Sequence, residues 1–271
     1  MPGSGAAAVK LLMIGDIVGR PGRQMVARHL AGLVDRHLVD LVVANAENAA
    51  GGNGLTEEIG KELLFQVDIL TSGNHIWDKK EVLSYMEKEN RLLRPANYPA
   101  VNPGRGYYIF QNEKGIKAAV INLQGRVFME PIDCPFLTAD RLLGEITPLT
   151  PIIIIDFHAE ATSEKQALGW YLNGRVSAVI GTHTHIPTAD ERVLPGGTAY
   201  ITDVGMAGGR NSVIGMKPDQ ALQRFLTGRP QRFEPATDGL LLSAVFIAID
   251  PGRGRALSIQ RELLTEDQSE D

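Results

Sequence analysis

The stretch PIIIIDFHAE at residues 151–160, followed by VSAVIGTHTHIP at residues 176–187, twice places an aliphatic run directly before a cluster of polar residues. Each run is continuous rather than alternating, which is the pattern of a strand covered on both faces. Five similar runs occur: VKLLMIG (9–15), DLVVANA (40–46), VDILTSG (67–73), KAAVINL (117–123) and TAYITD (198–203). Helical patterns lie between several of them. In GRQMVARHLAGLVDRHL, Met25, Val26, Leu30, Leu33 and Val34 share one side at helical spacing. Thr56 before Glu57 and Glu58 reads as a capped start for EEIGKELLFQ, and Ser163 as the cap of EKQALGWYL.

Strands alternating with helices predict an α/β layered fold. The closing DGLLLSAVFIAID and RALSIQREL, joined by PGRG, predict an antiparallel hairpin, so the sheets are mixed rather than purely parallel. Neither a linker nor an internal repeat divides the chain, and residues 1–271 read as a single domain. Residues 207–237 interrupt the pattern with Gly, Pro and four arginines and read as an excursion over a site; residues 264–271 read as a flexible acidic tail.

Composition narrows the function classes. With 44% hydrophobic residues, 22% charged residues and a net charge of −5, the chain has no broad basic field for duplex nucleic acid. A single cysteine, Cys134, provides no disulfide framework and fits a reducing, cytoplasmic setting with a structural thiol. No apolar run reaches the roughly 18 residues of a membrane span, so no membrane association is expected. The glycines of GDIVGRPGR match neither dinucleotide nor P-loop spacing, and no G-x-S-x-G elbow occurs. HAE at 158–160 has the H-x-E of zinc deaminases without the C-x-x-C they need.

The polar residues gather where the strands end. MIGDIVG supplies Asp16; VANAEN supplies Asn45, Glu47 and Asn48; TSGNH supplies Asn74 and His75; IIDFHAE supplies Asp156, His158 and Glu160; GTHTH supplies His183 and His185. In open α/β sheets that edge is the ligand crevice. Singly, Asp16 and Asn74 are ordinary turn residues and His158 an ordinary hydrogen-bonded histidine. Together, carboxylates, carboxamides and imidazoles form an oxygen and nitrogen environment suited to Mn, Fe, Zn or Ni. His183 and His185, two apart on an extended segment, would face the same side and bind one or two metals. His29 and His37, on the first helical pattern, are expected to take no part.

The ordered series GD, N-x-E-N, GNH, H and GTHTH resembles the calcineurin-like metallophosphoesterase superfamily. NAENAAGGNG, TSGNHIWD, DFHAEATSEK and GTHTHIPTAD make it more closely similar to the YmdB-like family of bacterial phosphodiesterases, over residues 11 to about 250. The resemblance implies a four-layer α/β/β/α sandwich with two divalent metal ions per chain, iron or manganese before magnesium, zinc or nickel. It implies Glu47 as the bridging carboxylate, Asp16 and His185 on one metal, and Asn74, His158 and His183 on the other. His75 would be the general acid, and the reaction hydrolysis of phosphodiesters, with 2′,3′-cyclic nucleotides the expected small-molecule substrates. Paired metals about 3.5–4 Å apart would activate water for in-line attack. Two carboxylates against two divalent ions leave such a site positive, which suits an anionic substrate.

The chain departs from the superfamily pattern twice. Val18 stands where a histidine ligand is usual, and the resemblance points to Asn48 as the replacement donor; Ile76 stands where an acidic residue usually follows the G-N-H histidine, leaving Asp78 as the partner for His75. Two other functions fit the same motifs: a 5′-nucleotidase or phosphatase on the same fold, and a metal-dependent regulatory scaffold with incidental activity. Self-association is open at this level.

Overall fold

The computed structural model describes residues 7–266. The chain begins with β1 (Val9–Ile17), α1 (Gly19–His37), β2 (Leu41–Asn45), α2 (Glu57–Leu64) and β3 (Ile69–Thr71). A single 3-10 turn (Asn74–Asp78) and α3 (Val82–Met86) lead to β4 (Tyr107–Gln111), β5 (Lys117–Gln124), α4 (Pro135–Ile146) and β6 (Ile153–His158). Next come α5 (Thr162–Tyr171), β7 (Ala178–Thr182), β8 (Arg192–Val193), β9 (Ala199–Ile201) and β10 (Met206–Gly209). The chain closes with α6 (Pro218–Thr227), β11 (Leu240–Asp250) and β12 (Arg255–Glu266).

Two six-stranded mixed sheets result, in the orders β12-β11-β10-β1-β2-β3 and β4-β5-β6-β7-β9-β8. In the first, β10, β1, β2 and β3 run parallel, β11 is antiparallel to β10 and β1, and β12 is antiparallel to β11. In the second, β5, β6, β7 and β9 run parallel between antiparallel edges β4 and β8. The two-residue period of a strand separates the cores. Leu11 and Met13 of β1 join Val43, Val120, Ile154, Ile180 and Val245 between the sheets. Leu12 and Ile14 face the other way, against Met25, Val26, Leu30 and Leu33 of α1 and Leu63 of α2. On the far side, Ile121, Ile153 and Ile155 pack on Leu142, Leu143 and Leu168 of α4 and α5. The layers are therefore α/β/β/α, which explains the continuous apolar runs: both faces of each central strand are buried, at about 1.5–3 kcal/mol per large aliphatic side chain.

The structure differs from the sequence expectations in several elements. Thr56 does cap α2, its hydroxyl accepting from Ile59 N at 3.2 Å. Ser163 caps nothing: α5 begins at Thr162 behind Ala161. The carboxylate of Glu164 in its first turn instead accepts from the backbone N–H groups of Arg126 and Val127. Residues 264–266, expected in a flexible tail, extend β12, because Leu264 packs on the helix-side core and Glu266 pairs with Arg28 and His29 of α1. Residues 267–271 lie outside the described residues. Of the 207–237 segment, residues up to Gly209 belong to β10 in the first sheet, and the rest carries α6. His37 stacks on Phe246 with ring centroids 3.9 Å apart, away from the strand ends. Among the described residues no helix is long and apolar enough to cross a membrane.

Candidate metal centre

Asp16 owes its position to an irregularity. The β1–β2 register shifts between Ile14 and Asp16, a bulge that re-aims the next side chain. Gly15 lies at the shift, and a Cβ there would fall 2.0 Å from the carbonyl oxygen of Gly205. Asp16 is fully buried; its Oδ2 accepts from His183 N at 3.0 Å, while Oδ1 has no hydrogen-bond partner. That oxygen lies 3.8 Å from His185 Nε2 and 3.9 Å from His158 Nδ1.

Glu47 sits between two donor sets. Its Oε1 is 2.9 Å from His158 Nε2 and accepts from Asn48 Nδ2 at 3.2 Å, and its Oε2 accepts from His75 N at 3.0 Å. His158 Nε2 lies 2.9 Å from His183 Nδ1, and one ligand atom from each of Glu47, His158 and His183 falls within 4.8 Å of the other two. Asn48 Nδ2 lies 3.1 Å from His185 Nε2. Asp16, Glu47, Asn48, His158, His183 and His185 thus meet at one place. Asn74 enters through its neighbours: its Oδ1 is buried without a partner, and the preceding Gly73 is pressed against the site. A Cβ at Gly73 would stand 2.1 Å from His158 Cδ2 and 2.5 Å from Glu47 Oε2.

The two histidines of GTHTH reach the site differently from the sequence expectation. They do not lie on an extended strand; β7 ends at Thr182, and His183 and His185 adopt φ of 103° and 65°. Such positive φ angles cost about 1–3 kcal/mol each and persist only where surroundings enforce them. The enforcing residue is Asp203, whose Oδ2 accepts from Thr184 N, Thr184 Oγ1 and Lys165 Nζ at 3.0, 2.8 and 2.7 Å. Lys165, 1% exposed, also donates to Thr182 O at 2.7 Å. Neither Lys165 nor Asp203 was signalled by the motifs.

Each imidazole has its outer nitrogen occupied. His185 Nδ1 lies 2.8 Å from Ile214 O, His158 Nδ1 lies 3.0 Å from Thr182 Oγ1, and that hydroxyl donates to Asp156 Oδ1 at 2.7 Å. The residues 207–237 therefore touch the site through one carbonyl. Val18, where a further ligand is usual, is fully buried and packs toward Gly208 and Gly215.

Charge is finely balanced. Burial pushes Glu47 up, but the His158 charge, its hydrogen bond and the His75 N–H outweigh it and hold the carboxyl down to about 2. Burial opposes charge on His158 too, yet Glu47, Asp16 and Asp156 raise it to about 9. Burial and then the neighbouring His158 lower His183 to about 3, and burial raises Asp16 to about 6 against His185 and His158. Asp16, Glu47, His158 and His183 compete for protons here, and a divalent cation answers the same charges. The orphaned oxygens of Asp16 and Asn74, with the mixed oxygen and nitrogen donors, fit such an ion.

His75 stands at the edge, its side chain 42% exposed. His75 Nδ1 lies 2.9 Å from Asp78 Oδ2, which also accepts from Asn53 Nδ2 at 2.8 Å. Asn53, from the GGNG turn, was not signalled by the sequence.

The YmdB-like protein family model matches residues 12–262. The chain is 50% identical over 261 residues to the 2′,3′-cyclic-nucleotide 2′-phosphodiesterase of Bacillus subtilis, covering 96% of this chain and 98% of that one. A hypothetical protein of Thermus thermophilus superposes with a TM-score of 0.90 at 44% identity, covering 95% of this chain and 100% of that one. A novel phosphatase of Mycoplasma pneumoniae superposes with a TM-score of 0.91 at 36% identity, covering 97% and 95%. With the family model and these relatives both spanning nearly its whole length, the chain belongs to the YmdB-like family.

Proposed function

We propose that the chain is a metal-dependent phosphodiesterase acting on 2′,3′-cyclic nucleotides at a dinuclear centre. The observation that carries the reading is the placement of Glu47 between Asn48 and His158, with separate donors on either side. Asp16, Asn48 and His185 would hold one ion and Asn74, His158 and His183 the other, with Glu47 available to both. Asn48 presents Nδ2 toward Glu47 and His185, so its ligand role requires the carboxamide turned to offer oxygen; amide orientation follows the local network. Such ions, for which the donor set suits iron or manganese, would supply a water of lowered pKa and a clamp for phosphoryl oxygens.

The chain's own groups do the rest. Asp78 takes the Nδ1 proton of His75 in a hydrogen bond, which leaves Nε2 as the position for the proton given to the departing ribose oxygen. The single cysteine supports a cytoplasmic enzyme, and residues 1–271 work as one domain. The homologue's substrate class supports the cyclic nucleotide. The word phosphatase for the Mycoplasma pneumoniae relative favours a second reading, hydrolysis of monoesters at the same site.

The test is a panel of 2′,3′-cyclic nucleotides and 5′-nucleotides with elemental analysis of the same preparation. Faster turnover of the cyclic diesters with two metals per chain supports the proposal. Monoester turnover alone selects the phosphatase reading, and turnover in fully stripped protein overturns both.

A further inference from the structure

We infer that Glu160 is a positioning residue for His183. His183 turns Nδ1 toward His158 and Glu47, and its other nitrogen, Nε2, lies 3.2 Å from Glu160 Oε2. An imidazole that offers Nδ1 as a ligand must carry its proton on Nε2, and a carboxylate accepting that proton's hydrogen bond fixes both tautomer and ring plane. Three different groups stand beside the outer nitrogens of the three site histidines. His185 meets a backbone carbonyl and His158 a hydroxyl, while His183 alone meets a carboxylate directly. That carboxylate is half exposed, at 50%, whereas the acceptors behind His158 are buried.

His183 stands in left-handed backbone at φ 103°, just beyond β7, and its ring is 20% exposed, with Glu160 beside its outer nitrogen. Glu160 comes from the end of the neighbouring β6, two residues beyond His158, and the parallel β6–β7 pairing of His158 with Thr182 brings the two segments together. H-A-E and G-T-H thus read as one unit: a ligand from one strand end, and from the same strand the group that orients the next strand's ligand. A carboxylate beside the outer N–H also makes the inner nitrogen a stronger donor.

The inference rests on His183 being a ligand, and the experiment separates the two. Manganese affinity is measured by competition with a chelator for wild type, Glu160→Ala, Glu160→Gln and His183→Ala, alongside imidazole ¹⁵N spectra of the metal-free proteins. Removing such a partner typically costs about 10–100-fold in metal affinity. Glu160→Ala should weaken one of the two sites by that factor and leave the other unchanged, with loss of the single His183 tautomer. Glu160→Gln keeps an acceptor without the charge and should weaken it less. Unchanged affinities in Glu160→Ala, with one site lost in His183→Ala, would overturn the inference alone. Equal and complete loss of one metal in both Glu160 variants would overturn it too, by making Glu160 a ligand. Two retained metals in His183→Ala would overturn the ligand assignment on which it stands.

Discussion

His75 is the one residue of the site whose proposed work is to move a proton to the substrate, and its surroundings suit that work. It touches Glu47 only through its backbone N–H, and its ring is tied to Asp78 rather than to the metal-facing groups. His75→Ala should therefore keep both metals while lowering turnover by about 10²–10⁴-fold for an alkoxide leaving group. A p-nitrophenolate leaving group needs little protonation and should suffer less. Metal content and the two rates measured on one preparation check this; equal losses for both leaving groups would contradict it. Asn48 is a different case. Its side chain is buried between Glu47 and His185, and Asn48→Ala should weaken the site of Asp16 and His185 while sparing that of His158 and His183, read by metal titration. The Asn48 carboxamide, Asp16 and the GNH histidine were legible in the sequence as residue types at strand ends. Glu160, Asn53 and Lys165 were not assigned roles, because each acts on another side chain and nothing in its own segment displays the partner.

The β7 loop shows where element-level reasoning named the residues but not their backbone geometry. H-x-H suggested an extended segment with alternate side chains on one face, whereas both histidines are left-handed. Spacing records which residues reach a site but not the backbone that aims them. Here the aim is maintained by Lys165 and Asp203, from α5 and the end of β9, buried together at 2.7 Å. Removing one member of a buried pair leaves an uncompensated charge and costs about 3–5 kcal/mol. Lys165→Met should lose that much in denaturant unfolding and should also lower metal affinity, because Thr184 is held by the same carboxylate. Stability loss with unaltered metal binding would show that the loop keeps its shape without the pair. The cap at Thr56 and the β11–β12 hairpin were read correctly because their signals are local. The start of α5 was misread because Glu164, tied to a loop far off in sequence, outranks local capping.

At the scale of the molecule, the layered architecture was visible in the apolar runs and in the closing hairpin. The division into two sheets was not, since an apolar residue between sheets looks the same as one under a helix; the family resemblance supplied it. What the folded whole adds is a buried cluster of charge whose proton uptake differs from that of the unfolded chain. His158 is raised from 6.5 to about 9, so its contribution is fully present below 6.5 and is lost as pH rises through about 9. Asp16, raised from 3.8 to about 6, contributes in the same sense at lower pH. His183, lowered from 6.5 to about 3, works in the opposite sense and offsets Asp16 there, so metal-free protein should lose thermal stability as pH rises through the His158 window. Manganese should restore more stability near the top of the His158 window than below it, because the ion no longer competes with a proton. Thermal melts in chelator and in manganese across that range check it, and a metal-free protein that grows more stable toward pH 9 would contradict it.

The central claim, hydrolysis at two metals bridged by Glu47, is tested most directly by titrating manganese into chelator-stripped protein while following turnover of adenosine 2′,3′-cyclic phosphate, for wild type and for Glu47→Gln. The account predicts no turnover without metal, a rise that saturates at two equivalents per chain, and almost none in Glu47→Gln at any metal concentration. Saturation at one equivalent, or wild-type turnover in Glu47→Gln, would contradict it.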